Sequence, residues 1–271
     1  MKSKTAVFKV VKGRGAGADP RGPLVESLRK LKEQFGASSL KLSTEDAGMS
    51  LEQIRFWKET GEGVLPTIVK IGGPNARNDI KQLLALKVEG LIAPMIESPF
   101  GLENFMEALR DFTTPMQFEG LEKHINIETV TAAENLQQVL DCPYAEALDE
   151  ITIGTSDLSR SMKKPVTHPT VLTVVKRAAE LIGSRNIPVS VGGGINPATI
   201  DALLEEARPH RFNTRVVTFD AEPGQSYRQA VREALEFEMS MLQNDSDMGF
   251  ISADEARFRI KQLKSRLSPS S

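Results

Sequence analysis

Short runs of apolar and β-branched residues alternate with longer amphipathic segments along most of the chain. The spacing predicts strands at residues 7–11, 40–44, 67–71, 90–96, 124–129, 150–154, 188–192 and 213–219. Between these runs, apolar residues recur every three or four positions, as on the buried face of a helix. Because a strand followed by a helix is repeated eight times, the pattern predicts a parallel sheet closed into a (β/α)₈ TIM barrel. A doubly wound open sheet obeys the same alternation and is the alternative.

Local sequence signals mark several helix ends. Ser50 and Thr131 precede helical runs and are residue types that cap a helix N-terminus. Asn196 and the proline after it predict another helix start, because proline is favoured in the first turn. Gly36 directly follows a helical run and is predicted to end it.

The chain continues past the eight strand–helix units. Residues 253–267 form a charged helical pattern, and a Ser/Pro-rich tail follows it. We therefore divide the sequence into a barrel over residues 1–243 and a C-terminal helical extension over residues 244–271. The added helix is expected to pack either on its own barrel or on a neighbouring subunit.

Composition narrows the class of protein. The 271 residues carry 34 basic and 36 acidic side chains, a net charge of −2, which gives no electrostatic reason to expect nucleic acid or an anionic membrane as a partner. The single cysteine, Cys142, cannot form an intrachain disulfide, which suits a reducing compartment. The sequence shows neither a secretory signal pattern nor a run of about 20 apolar residues, so a cytoplasmic location is expected.

Polar and charged residues gather where the predicted strands end. In a TIM barrel the active site lies at the carboxyl ends of the strands, so these residues are candidates for it. In strand order they are Arg14, Glu45 with Asp46, Lys70, Glu97, Glu128, Asp157, the glycines at 192–194, and Arg215.

Two of these acids follow consecutive predicted strands. Glu128 ends the fifth predicted strand and Asp157 follows the sixth. Because neighbouring strands lie about 4.8 Å apart, the two carboxylates can share one hard cation. Mg²⁺ commonly uses a few carboxylates together with waters and substrate oxygens. The alternative is that both are surface acids or partners in ordinary ion pairs.

Small residues form two turns at the same end of the predicted barrel. The turn Gly154–Thr155–Ser156 can present backbone N–H groups to a carboxylate. The glycines at 192–194 precede a helical run, so their turn can hold a phosphate or a carboxylate. Tight turns also need glycine for conformational reasons alone, and that is the alternative for both.

The segments APMIES, NIETVTAAENLQQVL and ITIGTSDLSRSM, in this order and spacing, resemble the HpcH/HpaI aldolase family, which is also described as citrate lyase beta-subunit-like. The resemblance extends over residues 7–219 and is most specific over residues 90–162. TEDAGMSLEQ, TIVKIGG, VGGGI and RFNTRVVTF are similar to a less-studied branch of that family. The family belongs to the phosphoenolpyruvate/pyruvate superfamily of barrels.

The resemblance implies roles for particular residues. Glu128 and Asp157 match the positions that bind Mg²⁺ or Mn²⁺ in the family, and Co²⁺ suits the same oxygen ligands. The backbone of Gly154, Thr155 and Ser156 matches the turn that holds the carboxylate of a 2-oxo acid. The resemblance also implies a small-molecule 2-oxo acid partner and a homo-oligomer.

Two departures from the family pattern affect the catalytic groups. Many family members carry a D-x-E-H motif after the second strand, and Gly48 stands at the position of its proton-transferring histidine. Lys70 stands where many members have an arginine, and lysine offers a point charge rather than a planar fork. Lys70, Asp46 and Glu45 are therefore the predicted catalytic residues. Arg14 and Glu97 are predicted to contact the substrate, and Glu97 is a further proton-transfer candidate.

Together these features predict a metal-dependent carbon–carbon lyase or class II aldolase that acts through the enolate of pyruvate or a related 2-oxo acid. Decarboxylation of oxaloacetate forms the same enolate without the base that retro-aldol cleavage needs. A barrel that binds metal and oxo acid without catalysis is one alternative. An acyl-CoA lyase or thioesterase is another, although no cluster of basic residues at the strand ends favours it.

Overall fold

Eight strands within residues 21–267, the part of the chain that the computed structural model describes, close into a barrel. The predicted first strand at residues 7–11 and the predicted substrate contact Arg14 lie outside this range. The strands are β1 (Ala37–Ser43), β2 (Thr67–Lys70), β3 (Gly90–Ala93), β4 (Glu122–Ile127), β5 (Glu150–Gly154), β6 (Val189–Gly192), β7 (Arg211–Asn213) and β8 (Val217–Asp220). The prediction of a closed α/β barrel of the TIM type is confirmed.

Helices cover the outside of the barrel, and most of them connect consecutive strands. They are α1 (Gly22–Phe35), α2 (Leu51–Gly61), α3 (Arg77–Ala85), α4 (Pro99–Phe112), α5 (Pro115–Gly120), α6 (Val130–Glu134), α7 (Leu136–Asp141), α8 (Thr155–Ser161), α9 (Pro169–Gly183), α10 (Ile200–Ala207), α11 (Arg228–Asp247) and α12 (Ala253–Leu267), with a 3₁₀ turn at Pro143–Ala147. No helix within the described range is both long enough and apolar enough to cross a bilayer.

The last predicted strand, residues 213–219, is in fact the meeting point of two strands. The hydroxyl of Thr214 donates to the Val217 carbonyl and accepts from the Val217 N–H, and this turns the chain back on itself. As a result β8 pairs antiparallel with both β7 and β1, while β1 to β7 run parallel. The strand-like character of the whole run concealed this turn, because Thr214 is itself a good strand residue.

The helix-end signals are confirmed at two positions and displaced at others. Ser50 caps α2 by accepting from the Gln53 N–H, and Gly36 ends α1 in the left-handed conformation at φ 73°. At α6 the cap is Thr129, two residues before the predicted Thr131. Asn196 accepts from the backbone of the next turn, but helix α10 itself begins at Ile200.

The inside of the barrel is polar, whereas TIM barrels usually fill it with branched apolar residues. Glu150 accepts from the Ser190 hydroxyl at 2.6 Å and from Arg211 at 3.0 Å. Asn213 donates to the same Ser190 at 2.9 Å and accepts from Thr218 at 2.6 Å. Such a network is stable only when its members are satisfied, so it forms an ordered polar floor beneath the carboxyl ends of the strands.

The C-terminal helices pack on the barrel of their own chain. Helix α11 passes the predicted boundary at residue 243 and ends at Asp247, and α12 then folds back against it. Asp245 is buried and accepts from the indole of Trp57 and from the amide of Gln53, both at 2.7 Å. This carboxylate therefore fastens the end of α11 to α2.

Replacing Asp245 with alanine is expected to lower the free energy of unfolding by roughly 2–4 kcal/mol, because it leaves two buried donors without an acceptor. Asp247 lies two residues away and is exposed, so Asp247→Ala is the matched control and should change stability by less than about 0.5 kcal/mol. Urea unfolding followed by tryptophan fluorescence measures both. Equal effects of the two substitutions would mean that the buried contact contributes nothing.

Candidate active site

A cavity of about 410 Å³ opens at the carboxyl ends of the strands. Its size suits a small ligand. The strand-end residues that line it come from six strands or the loops after them, and the helices α8 and α12 each add one arginine. They are Glu45, Asp46, Lys70, Glu128, Gly154, Ser156, Asp157, Arg160, Gly192, Gly193, Gly194, Thr214, Arg215 and Arg266.

Glu128, which follows β4, is the most buried carboxylate of the cavity wall, with 5% of its surface exposed. Its Oε1 accepts from the Met95 N–H at 2.9 Å and its Oε2 accepts from the Asn126 amide at 3.2 Å. Met95 adopts a left-handed backbone at φ 56°, which is uncommon for a residue other than glycine and often marks a functional position. Both oxygens of Glu128 are thus held in a fixed orientation.

Close backbone packing makes room for this carboxylate. Gly154 ends β5 beside Glu128, and a Cβ at Gly154 would lie 2.6 Å from the Glu128 Cβ and 2.7 Å from its Oε2. No real side chain tolerates such distances. Glycine at this position is therefore a condition for Glu128 to occupy the cavity wall.

Asp157 lies in the first turn of α8, directly after β5, and completes a carboxylate pair with Glu128. Its side chain is 47% exposed and accepts from Arg160 at 2.9 Å. Burial raises the pKa of Glu128, and repulsion from Asp157 adds to this, although the Met95 N–H and Lys70 oppose it. The sequence predicted that these two acids come together at one edge, and the structure places both on the cavity wall.

The pair fits a divalent cation of the Mg²⁺ class. Two carboxylates with access to water leave open positions for solvent or substrate oxygens, as Mg²⁺ prefers. The Asn126 side-chain nitrogen donates to Glu128. The Oδ1 of Asn126 is a buried acceptor with no partner among the described residues. No group of three or more acidic, histidine or cysteine side chains suited to a metal occurs within residues 21–267.

Lys70, at the end of β2, is clamped by both acids of the loop after β1. Its Nζ lies 2.6 Å from Glu45 Oε2 and 3.2 Å from Asp46 Oδ1. Ser43 orders that loop by accepting from the backbone N–H groups of Glu45 and Asp46. The three predicted catalytic residues therefore form one ion-paired cluster on the cavity wall.

The ion-paired cluster shifts the pKa values of Asp46 and Lys70 in opposite directions. Burial tends to raise the pKa of Asp46, but Lys70 and the hydrogen bond from Ser43 outweigh it and hold the pKa well below its ordinary range. Burial tends to lower the pKa of Lys70, and Asp46 and Glu45 outweigh it and raise that pKa. Lys70 is accordingly a cation near neutral pH, and Asp46 is an anion.

Replacing Lys70 with methionine is expected to flatten the loss of stability in acid. A lowered pKa for Asp46 in the folded state contributes stability above the ordinary value of 3.8 and loses it as the pH falls through the folded value. The wild-type free energy of unfolding should therefore decrease more than that of Lys70→Met as the pH falls from about 5 to about 2. Urea unfolding across this range measures the difference, and parallel pH profiles would contradict the assignment.

The two small-residue turns lie against each other. A Cβ on Gly193 would come within 2.7 Å of the Ser156 backbone nitrogen, so the turn after β6 packs directly on the turn after β5. The buried hydroxyl of Thr155 donates to the carbonyls of Gly192 and Gly193 and locks the two turns together. Gly154 and Ser156 line the cavity, whereas Thr155 supports it from behind.

Two other predicted positions have different surroundings. The Glu97 carboxylate accepts from the hydroxyl of Thr129 and does not belong to the cavity lining, so the structure does not bring it to the predicted substrate site. Gly48 adopts a left-handed backbone at φ 61°, a conformation that a histidine would adopt only with strain. The loop after β1 is thus built for glycine at position 48.

Several lining residues were not predicted, because they lie within strands rather than after them. Lys41, Asn126, Thr152 and Asn213 all face the cavity from the polar interior of the barrel. The signal was present in the sequence: polar residues alternate with apolar ones in these strands, although a barrel strand covered by helices should be apolar on both faces.

The C-terminal helix also reaches the cavity. Arg266, near the end of α12, donates through Nε to the Ile195 carbonyl at 3.2 Å, beside the glycine turn that follows β6. That carbonyl is its only hydrogen-bond acceptor among the described residues. Helix α12 therefore places a guanidinium at the rim of its own barrel.

No protein-family model matches the chain, and no curated protein matches it. Solved structures do. An HpcH/HpaI aldolase/citrate lyase family protein from Burkholderia cenocepacia J2315 is 14% identical over 71% of this chain and 92% of that chain, with a TM-score of 0.55. The HpcH/HpaI aldolase from Desulfitobacterium hafniense DCB-2 is 15% identical over 69% and 79%, also with a TM-score of 0.55.

A citrate synthase, SbnG, is 15% identical over 81% of this chain and 98% of that chain, with a TM-score of 0.56. At such identities the similarity establishes a shared fold: the chain has the barrel found in HpcH/HpaI aldolases. The chemistry has to be argued from the residues of the cavity.

Proposed function

We propose that this protein is a metal-dependent carbon–carbon lyase or aldolase that acts on pyruvate or a related 2-oxo acid through its enolate. The observation that carries the proposal is the carboxylate pair of Glu128 and Asp157 on the wall of a small polar cavity. The similar solved structures that carry the names aldolase and citrate lyase support the same class of reaction.

Glu128 and Asp157 would hold the cation, with Asn126 and the Met95 N–H keeping Glu128 in orientation. A bound Mg²⁺ or Mn²⁺ supplies Lewis-acid stabilisation of the negative charge that develops on the enolate oxygen.

Chain groups would orient the substrate. Backbone N–H groups of the turn at Gly154 and Ser156 bind the substrate carboxylate without requiring a side-chain charge. The Lys70 ammonium, held by two acids, adds a fixed positive charge to the same wall. Fixed dipoles and charges of this kind cost no reorganisation during the reaction.

Glu45 is the group that would move a proton. Its Oε2 contacts Lys70, while its Oε1 has no hydrogen-bond partner among the described residues and can accept a proton from the substrate methyl group. Asp46 is a poorer base because its lowered pKa means a weaker affinity for the proton. Decarboxylation of a 2-oxo dicarboxylate needs no such base, so it is expected to be the more robust activity.

Proton NMR tests the proposal directly. Pyruvate in D₂O should lose its methyl proton signal faster when Mg²⁺ is added to the full-length protein, and EDTA should remove this Mg²⁺-dependent part of the exchange. Release of pyruvate from oxaloacetate, above the rate with Mg²⁺ alone, is the second readout. Binding of pyruvate without exchange or decarboxylation would instead identify a binding protein and overturn the catalytic proposal.

Arg266 is expected to assist binding of an anionic substrate at the cavity rim. Because a hydrogen bond to a charged group contributes roughly 1.5–3 kcal/mol, Arg266→Met should raise KM for oxaloacetate by about tenfold or more with little change in kcat. The exposed Lys264 on the same helix provides the matched control, Lys264→Met. An unchanged KM in Arg266→Met would leave α12 without a role in binding.

A further inference from the structure

A second lysine, Lys41, faces the cavity from below the cluster around Lys70. In the barrel register Ser43 pairs with Lys70, and Lys41 pairs with Ile68, one layer nearer the amino ends of the strands. The Lys41 backbone is fixed by its N–H bond to the Val216 carbonyl at 2.9 Å, and its side chain lines the cavity. The backbone of Lys41 is therefore held in place, and a ligand that fills the cavity can reach its side chain.

The Lys41 side-chain nitrogen has no hydrogen-bond acceptor and no ion-pair partner within residues 21–267. The two other buried lysines of the barrel strands, Lys70 and Lys123, both have partners. Lys70 is held by Glu45 and Asp46. Lys123 donates to the Phe118 carbonyl at 3.2 Å and lies 3.0 Å from Asp149. A protein that needed Lys41 only as a structural cation would be expected to pair it, since buried charges are costly when unpaired.

The surroundings of Lys41 make its ammonium easier to deprotonate than that of an exposed lysine. Burial lowers its pKa, and the neighbouring Lys70 ammonium lowers it further. Asp46, Glu128 and Glu150 act in the opposite direction but do not outweigh these two causes. Desolvation and an adjacent cation are the two environments that turn a lysine into a nucleophile.

We propose that Lys41 is an imine-forming amine, which gives this cavity a second, metal-independent way to activate a 2-oxo acid. The inference rests on the proposed substrate class but not on the proposed metal. Lys70 is the less suitable amine, because its two carboxylate partners keep it protonated and occupied.

The step balances without an oxidant or a reductant. The Lys41 nitrogen lone pair attacks carbon 2 of the oxo acid, and the carbonyl π electrons move to oxygen. That oxygen leaves as water after taking one proton from the amine and one from solvent, and a C=N bond forms. Loss of a proton or of carbon dioxide from carbon 3 then gives an enamine, and reprotonation and hydrolysis return the free amine.

Reductive trapping tests the proposal on the full-length protein. The protein is stripped of metal with EDTA, mixed with pyruvate and treated with sodium borohydride, and then analysed by intact-mass and peptide mass spectrometry. We expect one adduct per chain, heavier by one pyruvic acid less one oxygen, on the peptide that contains Lys41. The buried but paired Lys123 should remain unmodified, and exposed Lys264 reports non-specific labelling.

Lys41→Arg keeps the positive charge but cannot form the imine, so it should lose the adduct. Lys41→Met is a second variant, for the case that the larger arginine does not fit, and it should lose the adduct as well. Absence of an adduct on Lys41 in the wild type, or equal labelling of Lys264, would overturn the proposal. Mg²⁺-dependent methyl exchange without trapping would refute the imine but leave the proposed function intact. Trapping on Lys41 in a protein that shows no Mg²⁺-dependent exchange would support the imine and refute the proposed metal-dependent function.

Discussion

Asp157→Ala should reduce Mg²⁺-dependent exchange of the pyruvate methyl protons by at least about 100-fold, because Lewis-acid stabilisation is worth several kilocalories per mole of barrier. Asp157 is the carboxylate of the pair that is open to solvent, and its present partner is the exposed Arg160. Its removal takes away one of the two proposed metal ligands and little packing. The free energy of unfolding should therefore change by less than about 1 kcal/mol.

The matched control is Asp111→Ala. Asp111 is a similarly exposed acid, paired with Arg77, but it lies on α4 away from the cavity. NMR exchange rates over a range of Mg²⁺ concentrations separate weaker binding of the ion, which excess Mg²⁺ rescues, from loss of the step itself. If Asp157→Ala keeps the wild-type rate at low Mg²⁺ concentration, the carboxylate pair is not the metal site.

The fold could be predicted from the chain because its signals are local and repeated. Apolar spacing gave the helices, β-branched runs gave most strands, and Ser50 and Gly36 marked helix ends through interactions within one turn. The antiparallel strand β8 could not be predicted in this way. It depends on the turn at Thr214, which is set by a side-chain hydrogen bond within an otherwise strand-like run.

The site was predictable where residues follow strands. Glu45, Asp46, Lys70, Glu128 and Asp157 all line the cavity. These five residues lie together because the carboxyl ends of parallel strands meet at one edge, whereas Glu97 also follows a predicted strand but does not line the cavity.

The prediction missed groups whose position depends on packing over long sequence distances. Arg266 reaches the rim only because α12 folds back on α11, and a charged helix near a chain end carries no local sign of its destination. Lys41 could have been noticed from the polar alternation in β1, but its lack of a partner is a property of the assembled interior.

Gly154→Ala is expected to impair the site and the fold together. Gly154 has an ordinary backbone at φ −83°, so alanine is allowed there by its backbone and the effect must come from the added methyl group. That methyl group would lie 2.6 Å from the Glu128 Cβ and 2.7 Å from Oε2. Relief requires Glu128 to leave its contacts with Met95 and Asn126, and overpacking of this kind costs about 1–3 kcal/mol of stability.

Displacement of Glu128 should also weaken Mn²⁺ binding by about 10–100-fold, the usual consequence of disturbing a ligand's orientation. Calorimetric titration with Mn²⁺ and urea unfolding measure the two effects on the same protein. Gly183→Ala is the control: no atom lies within 4 Å of its added methyl group, so it should leave Mn²⁺ affinity unchanged and alter stability by no more than about 1 kcal/mol. If Gly154→Ala is destabilised but still binds Mn²⁺ with the wild-type affinity, the packing at the end of β5 does not affect the metal site. That result would exclude Glu128 as a ligand.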